Sequence, residues 1–173
     1  MLEIGTICAE AGEKIARVSA NMAMAADMEV RASSTATTGA YSSACQRGLP
    51  AILMERGGGG RFTDSEVQAY KQDVKNIMIR MGLLSGEEVH TVQQKNVTRA
   101  EYLEAETDGL WYPVFSAGDT FAGGAVLGTV RDIWGNLLRE YRADYPGIIL
   151  YQTVGLGVKT GDPLIAYGEY ADR

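Results

Sequence analysis

The pattern of apolar positions changes character about midway along the chain. Through the first half, apolar residues recur at helical spacing; through the second, they fall in short runs separated by Gly-Asp turns. Ile4, Ile7, Cys8, Ala11, Ile15, Val18 and Met22 occupy the i, i+3/i+4, i+7 positions of one helical face. They predict an amphipathic helix over residues 1 to about 24, already running at its first residues with no capping signal before it. A helix that begins without a start suggests a chain cut from something longer. Met28-Glu-Val30-Arg-Ala32 alternates and predicts a short strand, with a polar loop to follow at Ser33 to Thr38. Gly39 to Arg47 predicts a short helix stopped by Gly48. Ala51-Ile-Leu-Met54, entered through Pro50, is apolar throughout and predicts a buried strand.

The next helix has the fullest set of signals. Thr63 and Glu66 have the spacing of a capping box, and Phe62 and Val67 that of a hydrophobic staple. Val67, Tyr70, Val74, Ile77, Met78 and Met81 form the expected buried stripe, and Gly82 stops it. Helix, strand, short helix, strand, helix predicts a mostly parallel sheet with helices packed on it.

Residues 83 to about 100 read as a polar connector with a strand in Val89 to Val97. Beyond it, β-type runs at Leu110 to Phe115, Val126 to Val130, Leu137 to Arg142, Ile148 to Val154 and Leu164 to Tyr167 predict a small all-β module. A weak internal repeat lies within it. Val114 to Asp119 followed by Val126-Leu-Gly128 is matched by Val158 to Asp162 followed by Leu164-Ile165 and Gly168, which suggests a sandwich with approximate two-fold symmetry. The expected division is an α/β domain over 1–88 and an all-β sandwich domain over 89–173.

The chemistry concentrates where the Ala51–Met54 run ends on Glu55 and breaks into Gly57-Gly-Gly-Gly60. A charge at the end of a buried strand is costly unless it has a partner or a task. The glycines let the backbone take positive φ and approach a ligand. Glu55 is therefore the candidate functional centre; the alternative is a structural carboxylate paired with Arg31, Arg56 or Arg61. A phosphate loop is disfavoured, because no Gly-Lys-Ser/Thr ending follows the glycines. His90 is the only histidine and has no partner at metal-ligand spacing, so a solvated connector residue is the first reading. Cys45 with His90 as a nucleophile pair lacks any local signature.

Composition narrows the classes. The net charge of −6 and the lack of a basic block argue against nucleic acid. No apolar run approaches the ~20 residues that cross a bilayer, and no signal-peptide pattern opens the chain, so a membrane partner is not expected. Two cysteines without metal spacing read as reduced thiols in a cytoplasmic protein.

Taken together, Thr38-Gly-Ala-Tyr41, Gln46 to Gly58 with Glu55 at its centre, Val74-Lys-Asn-Ile77 to Leu83, Gly118-Asp119, Leu127-Gly128, Asp132-Ile-Trp-Gly135 and Gly161-Asp162-Pro-Leu164 stand in an order that resembles the succinylglutamate desuccinylase/aspartoacylase family of zinc carboxypeptidase-like hydrolases. The likeness covers roughly residues 25 to 170. It implies part of a zinc-carboxypeptidase-like α/β domain followed by a module similar to the barrel-sandwich hybrid of lipoyl and biotinyl carriers. It implies a deacylase that cleaves the amide of an N-acyl amino acid or similar small molecule, with Glu55 as general base. Tyr41 falls where the family places a substrate-side tyrosine, and Arg56 is a candidate contact for an anionic substrate, since guanidinium suits carboxylates.

The family holds its zinc with a His-x-x-Glu pair and a later histidine, and this chain departs from that pattern by having one histidine, beyond Glu55. The resemblance thus implies a C-terminal portion, inactive alone, with zinc in the full-length enzyme and none expected on this chain. A carrier role is disfavoured, because the turn at Ala143 to Gly147 has no lysine and Lys159 sits in the other repeat. The alternative from another class is a non-catalytic binding or assembly module built on the β domain. A homo-oligomer is compatible with either, as an exposed sheet edge invites self-pairing.

Overall fold

The structure is a computed structural model that describes residues 4–8 and 12–170. It divides into two compact units between Val97 and Thr98. In the first, β1 (Ile4–Cys8) is flanked by β2 (Val30–Ser34) in parallel and by β3 (Ile52–Glu55) in antiparallel pairing. The start of β4 (Lys95–Glu104) runs parallel to β2, giving the order β3-β1-β2-β4 with β3 at the edge. Helix α1 (Glu13–Ala25) packs on β1 and on α3 (Asp64–Arg80), and α2 (Ala40–Gln46) packs on β1.

Two expectations are corrected here. Residues 4–8 form a strand, and the helix starts only at Glu13. Ile-Gly-Thr-Ile-Cys is rich in β-branched residues, and a short apolar run fits a buried strand as well as it fits a helical stripe. Pairing with β2 and β3 decides between them. The run before Glu55 is a strand, but it is half-exposed and alternates, with Leu53 and Glu55 outward. β3 lies on the sheet edge and antiparallel to its neighbour, so its outer residues lack the cover that a central parallel strand receives. Residue 11 of the predicted stripe lies outside the described residues.

Helix α3 begins as its local sequence dictates. The Glu66 amide donates to Thr63 Oγ1 at 3.2 Å and the Thr63 amide donates to Glu66 Oε2 at 2.6 Å, closing the capping box. No staple accompanies it, since Phe62 is 77% exposed. The buried face takes up only part of the expected apolar stripe, with Val67, Tyr70 and Ile77 half-buried. Val74, Met78 and Met81 face outward, while Asp73 and Asn76 are fully buried. Asn76 Nδ2 donates to the Val89 carbonyl at 2.7 Å and its Oδ1 accepts from the Val89 amide at 3.0 Å, so a buried polar side chain on that face ties down the connector. That attachment also explains why the connector holds no strand over Val89 to Gln94; β4 starts at Lys95.

Cys45 is disulfide-bonded, which corrects the expectation of two reduced thiols. None of the described helices is long and apolar enough to cross a membrane.

In the second unit β4 neighbours β11 (Pro163–Tyr170), followed by β9 (Gly147–Gln152) and β6 (Thr120–Phe121). A second set has the order β10-β5-β7-β8, formed by β5 (Gly109–Pro113), β7 (Val126–Arg131), β8 (Leu137–Arg142) and β10 (Gly157–Val158). Neither order closes into a barrel. Trp111, Leu127, Tyr141, Ile149, Leu164 and Tyr167 are among the side chains of its core. The internal repeat is visible as one turn made twice. The Asp119 amide donates to the Ser116 carbonyl at 3.0 Å while Asp119 Oδ2 accepts from the Ser116 amide at 2.8 Å. Asp162 does the same with Lys159, at 2.9 and 2.8 Å. Gly118 and Gly161 take φ of 93° and 88° in the two copies, where a side chain would be strained.

Candidate functional site at the end of strand β3

Glu55 is the last residue of β3 and pairs with Ile4 of β1. It is exposed, and among the described residues no hydrogen bond or ion pair holds its carboxylate. The structural alternative, pairing with Arg31, Arg56 or Arg61, therefore does not describe it. Immediately after it, Gly57, Gly59 and Gly60 take positive φ, and a bridge between Gly58 and Arg61 closes the turn into α3. At Gly57 a Cβ would also come within 2.9 Å of the Arg61 carbonyl oxygen, so the tight turn beside Glu55 requires glycine there.

Arg56 has the opposite environment. Its side chain is 3% exposed and that of Asp73 is 0% exposed. Nε and Nη2 approach Asp73 Oδ2 at 2.9 and 2.7 Å, and Nη2 donates to the Asp27 carbonyl at 2.8 Å. Asp73 Oδ1 accepts from the Asp27 amide at 2.8 Å, so both carboxylate oxygens are used. The Arg56 amide donates to the Tyr70 hydroxyl at 2.8 Å, and that hydroxyl donates to the Met54 carbonyl at 3.1 Å. A buried charge is tolerable only when paired and hydrogen-bonded, and this one is both. The guanidinium proposed from sequence as a substrate contact is thus packed against α3. Sequence reading missed Asp73 and Tyr70 as parts of this site. Asp73 sits at i+3 from Tyr70 on one face of α3, a spacing that is visible in the sequence once Arg56 is known to be its partner. Tyr41 lies half-buried in the first turn of α2.

The Asp27 carboxylate accepts from the Thr91 hydroxyl at 2.6 Å, the Thr91 amide at 2.8 Å and the Val92 amide at 3.1 Å. Burial opposes its ionisation, but these hydrogen bonds and nearby His90 outweigh it and hold its carboxyl below the ordinary value of 3.8. The stability it contributes is therefore complete above the ordinary carboxyl range and is lost as the pH falls through the lower folded value. The gap in denaturation midpoint between wild type and Asp27→Asn should shrink as pH is lowered from about 6 to about 3, followed by urea titrations at each pH. A constant gap would show that this carboxylate's ionisation does not matter to folding.

His90 places Nε2 at 2.9 Å from Glu88 Oε2 and Nδ1 at 4.0 Å from Asp27 Oδ1. Glu88 is also engaged by Arg80. Among the described residues no group of three or more His, Cys, Asp or Glu could hold a metal ion. The donors among the described residues do not fit a zinc centre.

No protein-family model matches the chain, and no curated protein matches it. Solved structures do. The product-bound ectoine utilization protein EutE (DoeB) from Ruegeria pomeroyi superimposes with a TM-score of 0.85 at 21% identity, over 96% of this chain and 53% of that one. A succinylglutamate desuccinylase/aspartoacylase from Rhodobacter sphaeroides gives 0.83 at 19% identity, over 99% and 55%. An aspartoacylase family protein from Mesorhizobium loti gives 0.76 at 19% identity, over 99% and 53%. The chain has the fold seen in about half the length of these proteins.

Proposed function

We propose that this chain is the C-terminal portion of a deacylase that hydrolyses the amide bond of an N-acyl amino acid or similar small molecule, with Glu55 as general base. The observation that carries the reading is the contrast at the end of β3: Glu55 is open and unpaired, while the residue after it is locked in place. A general base must be held rigidly and yet be accessible to water and substrate. In this reading Glu55 takes a proton from the attacking water and returns it to the leaving amine. Its fold neighbours, described as a desuccinylase/aspartoacylase and an aspartoacylase family protein, support the deacylase part of this reading. Zinc, in this reading, is held by residues outside this chain, and the chain by itself is inactive. Tyr41 remains a substrate-side candidate, whereas Arg56 serves the framework. The second unit is read as a barrel-sandwich-hybrid-type scaffold, for which its repeated turn is the support.

A second reading, a non-catalytic assembly module, is favoured by Ile133 and Trp134, which stand 76% and 83% exposed at the tip between β7 and β8. One experiment separates the two. In the full-length protein, Glu55→Gln is expected to lower amide-hydrolysis turnover by about a hundredfold or more while bound zinc per chain stays unchanged. Undiminished turnover in the variant would remove Glu55 as general base, and absence of amide hydrolysis in the wild-type full-length protein would remove the hydrolase reading and leave the module.

A further inference from the structure

We propose that Tyr70 is a positioning residue for Glu55, acting through the two peptide groups on either side of it; the inference rests on the hydrolase reading of Glu55. One hydroxyl meets both groups: it donates to the carbonyl of Met54 at 3.1 Å and accepts from the amide of Arg56 at 2.8 Å. These are the residues immediately before and after Glu55. β3 is an edge strand only four residues long, and its pairing with β1 ends at Glu55 itself. Short edges of this kind open locally at low cost, which is a poor mounting for a base. The hydroxyl of Tyr70 supplies what the edge lacks.

A second grip reinforces the first from the same face of α3. Asp73, three residues on, holds the Arg56 side chain through Nε and Nη2, and the Asp27 carbonyl takes a further bond from Nη2. The Arg56 guanidinium also lies 5.8 Å from the centre of the Tyr70 ring. Backbone and side chain of the residue after Glu55 are thus fixed to one helix, whose own start is closed by the Thr63/Glu66 capping box. Only the side-chain torsions of Glu55 stay free. Misplacing a catalytic group by about 1 Å can cost on the order of a hundredfold in rate, so a backbone clamp one residue away acts on catalysis without touching substrate.

Tyr70→Phe removes the hydroxyl and keeps the ring. In this chain, hydrogen exchange followed by NMR should show the Arg56 amide exchanging roughly fivefold faster or more in the variant, as expected for one lost hydrogen bond, with the amides of Val74 to Ile77 unchanged. In the full-length protein, kcat should fall about tenfold with KM unchanged. An unaltered Arg56 amide, or a uniform acceleration across α3, overturns the proposal, since the first denies the clamp and the second reduces it to global stability. Glu55→Gln measured alongside separates the two levels. If that variant is inactive while Tyr70→Phe keeps full kcat, the positioning role alone fails. If Glu55→Gln turns over normally, the reading of Glu55 as general base fails and the positioning role goes with it.

Discussion

Replacing Asp73 by leucine is expected to destabilise the protein by about 3–5 kcal/mol, measured by urea unfolding at neutral pH. The magnitude comes from what is left behind. The Arg56 side chain is 3% exposed and pairs with Asp73, which is 0% exposed, so the substitution removes a counter-charge from a guanidinium held out of water. The Asp27 amide, which donates to Asp73 Oδ1, loses its acceptor as well. The Asp27 carbonyl, which accepts from Nη2, is neutral and does not replace the lost charge. The double variant Arg56→Met/Asp73→Leu tests the cause. With both charges gone the interior should tolerate two apolar side chains, and most of the loss should be recovered, because breaking a buried pair costs far more than deleting it. A loss below about 1 kcal/mol in the single variant would show that water reaches the pair in solution.

The same pair marks where sequence reading stopped. Everything local around it was legible: Thr63 and Glu66 announce the start of α3, and their reciprocal bonds are present. Which residues of α3 bury deepest was not, because, of the predicted stripe, Val67, Tyr70 and Ile77 are half-buried and Val74, Met78 and Met81 face outward, while the fully buried residues are Asp73 and Asn76. Their burial depends on partners 17 and 13 positions away, Arg56 and the Val89 backbone, and hydrophobic patterning carries no information about such pairs. The first strand failed for a related reason. Ile4, Ile7 and Cys8 stand at helical spacing, but the five-residue run that holds them also suits a short strand, and only pairing with β2 and β3 breaks the tie.

At the candidate site, a carboxylate ending an apolar run before glycines was enough to single out Glu55. Nothing in the sequence distinguished its exposed carboxylate from the buried guanidinium next to it. The structure separates them: Glu55 is the last, exposed residue of β3, and Arg56, just past the strand, is held against α3 by Tyr70 and Asp73. In the second unit legibility was higher. Its turns are set by residues a few positions apart, so the Gly-Asp repeat at Asp119 and Asp162 could be read directly.

Gly128 in β7 shows the other way this fold constrains its sequence. A Cβ placed there would lie 2.3 Å from Trp111 Cη2, 2.7 Å from Cζ2 and 2.8 Å from Cζ3, all ring atoms of a side chain that is itself 2% exposed. Trp111 cannot retreat freely, because its ring meets Tyr141 edge-on at 5.7 Å within the core. Gly128→Ala is therefore expected to destabilise the protein by about 3 kcal/mol, at the upper end of what overpacking costs, measured by thermal and urea unfolding. Its backbone φ does not lie in the left-handed region, so strain there does not contribute and the cost is steric alone. That makes the effect separable. Trp111→Phe removes the colliding ring together with an indole Nε1 that has no hydrogen-bond partner. In the Trp111→Phe background the added methyl should cost at least about 1 kcal/mol less than in wild type, a coupling that two independent sites would not show. Equal cost in the two backgrounds would mean that the glycine is needed for the backbone of β7 and not for the indole packed over it.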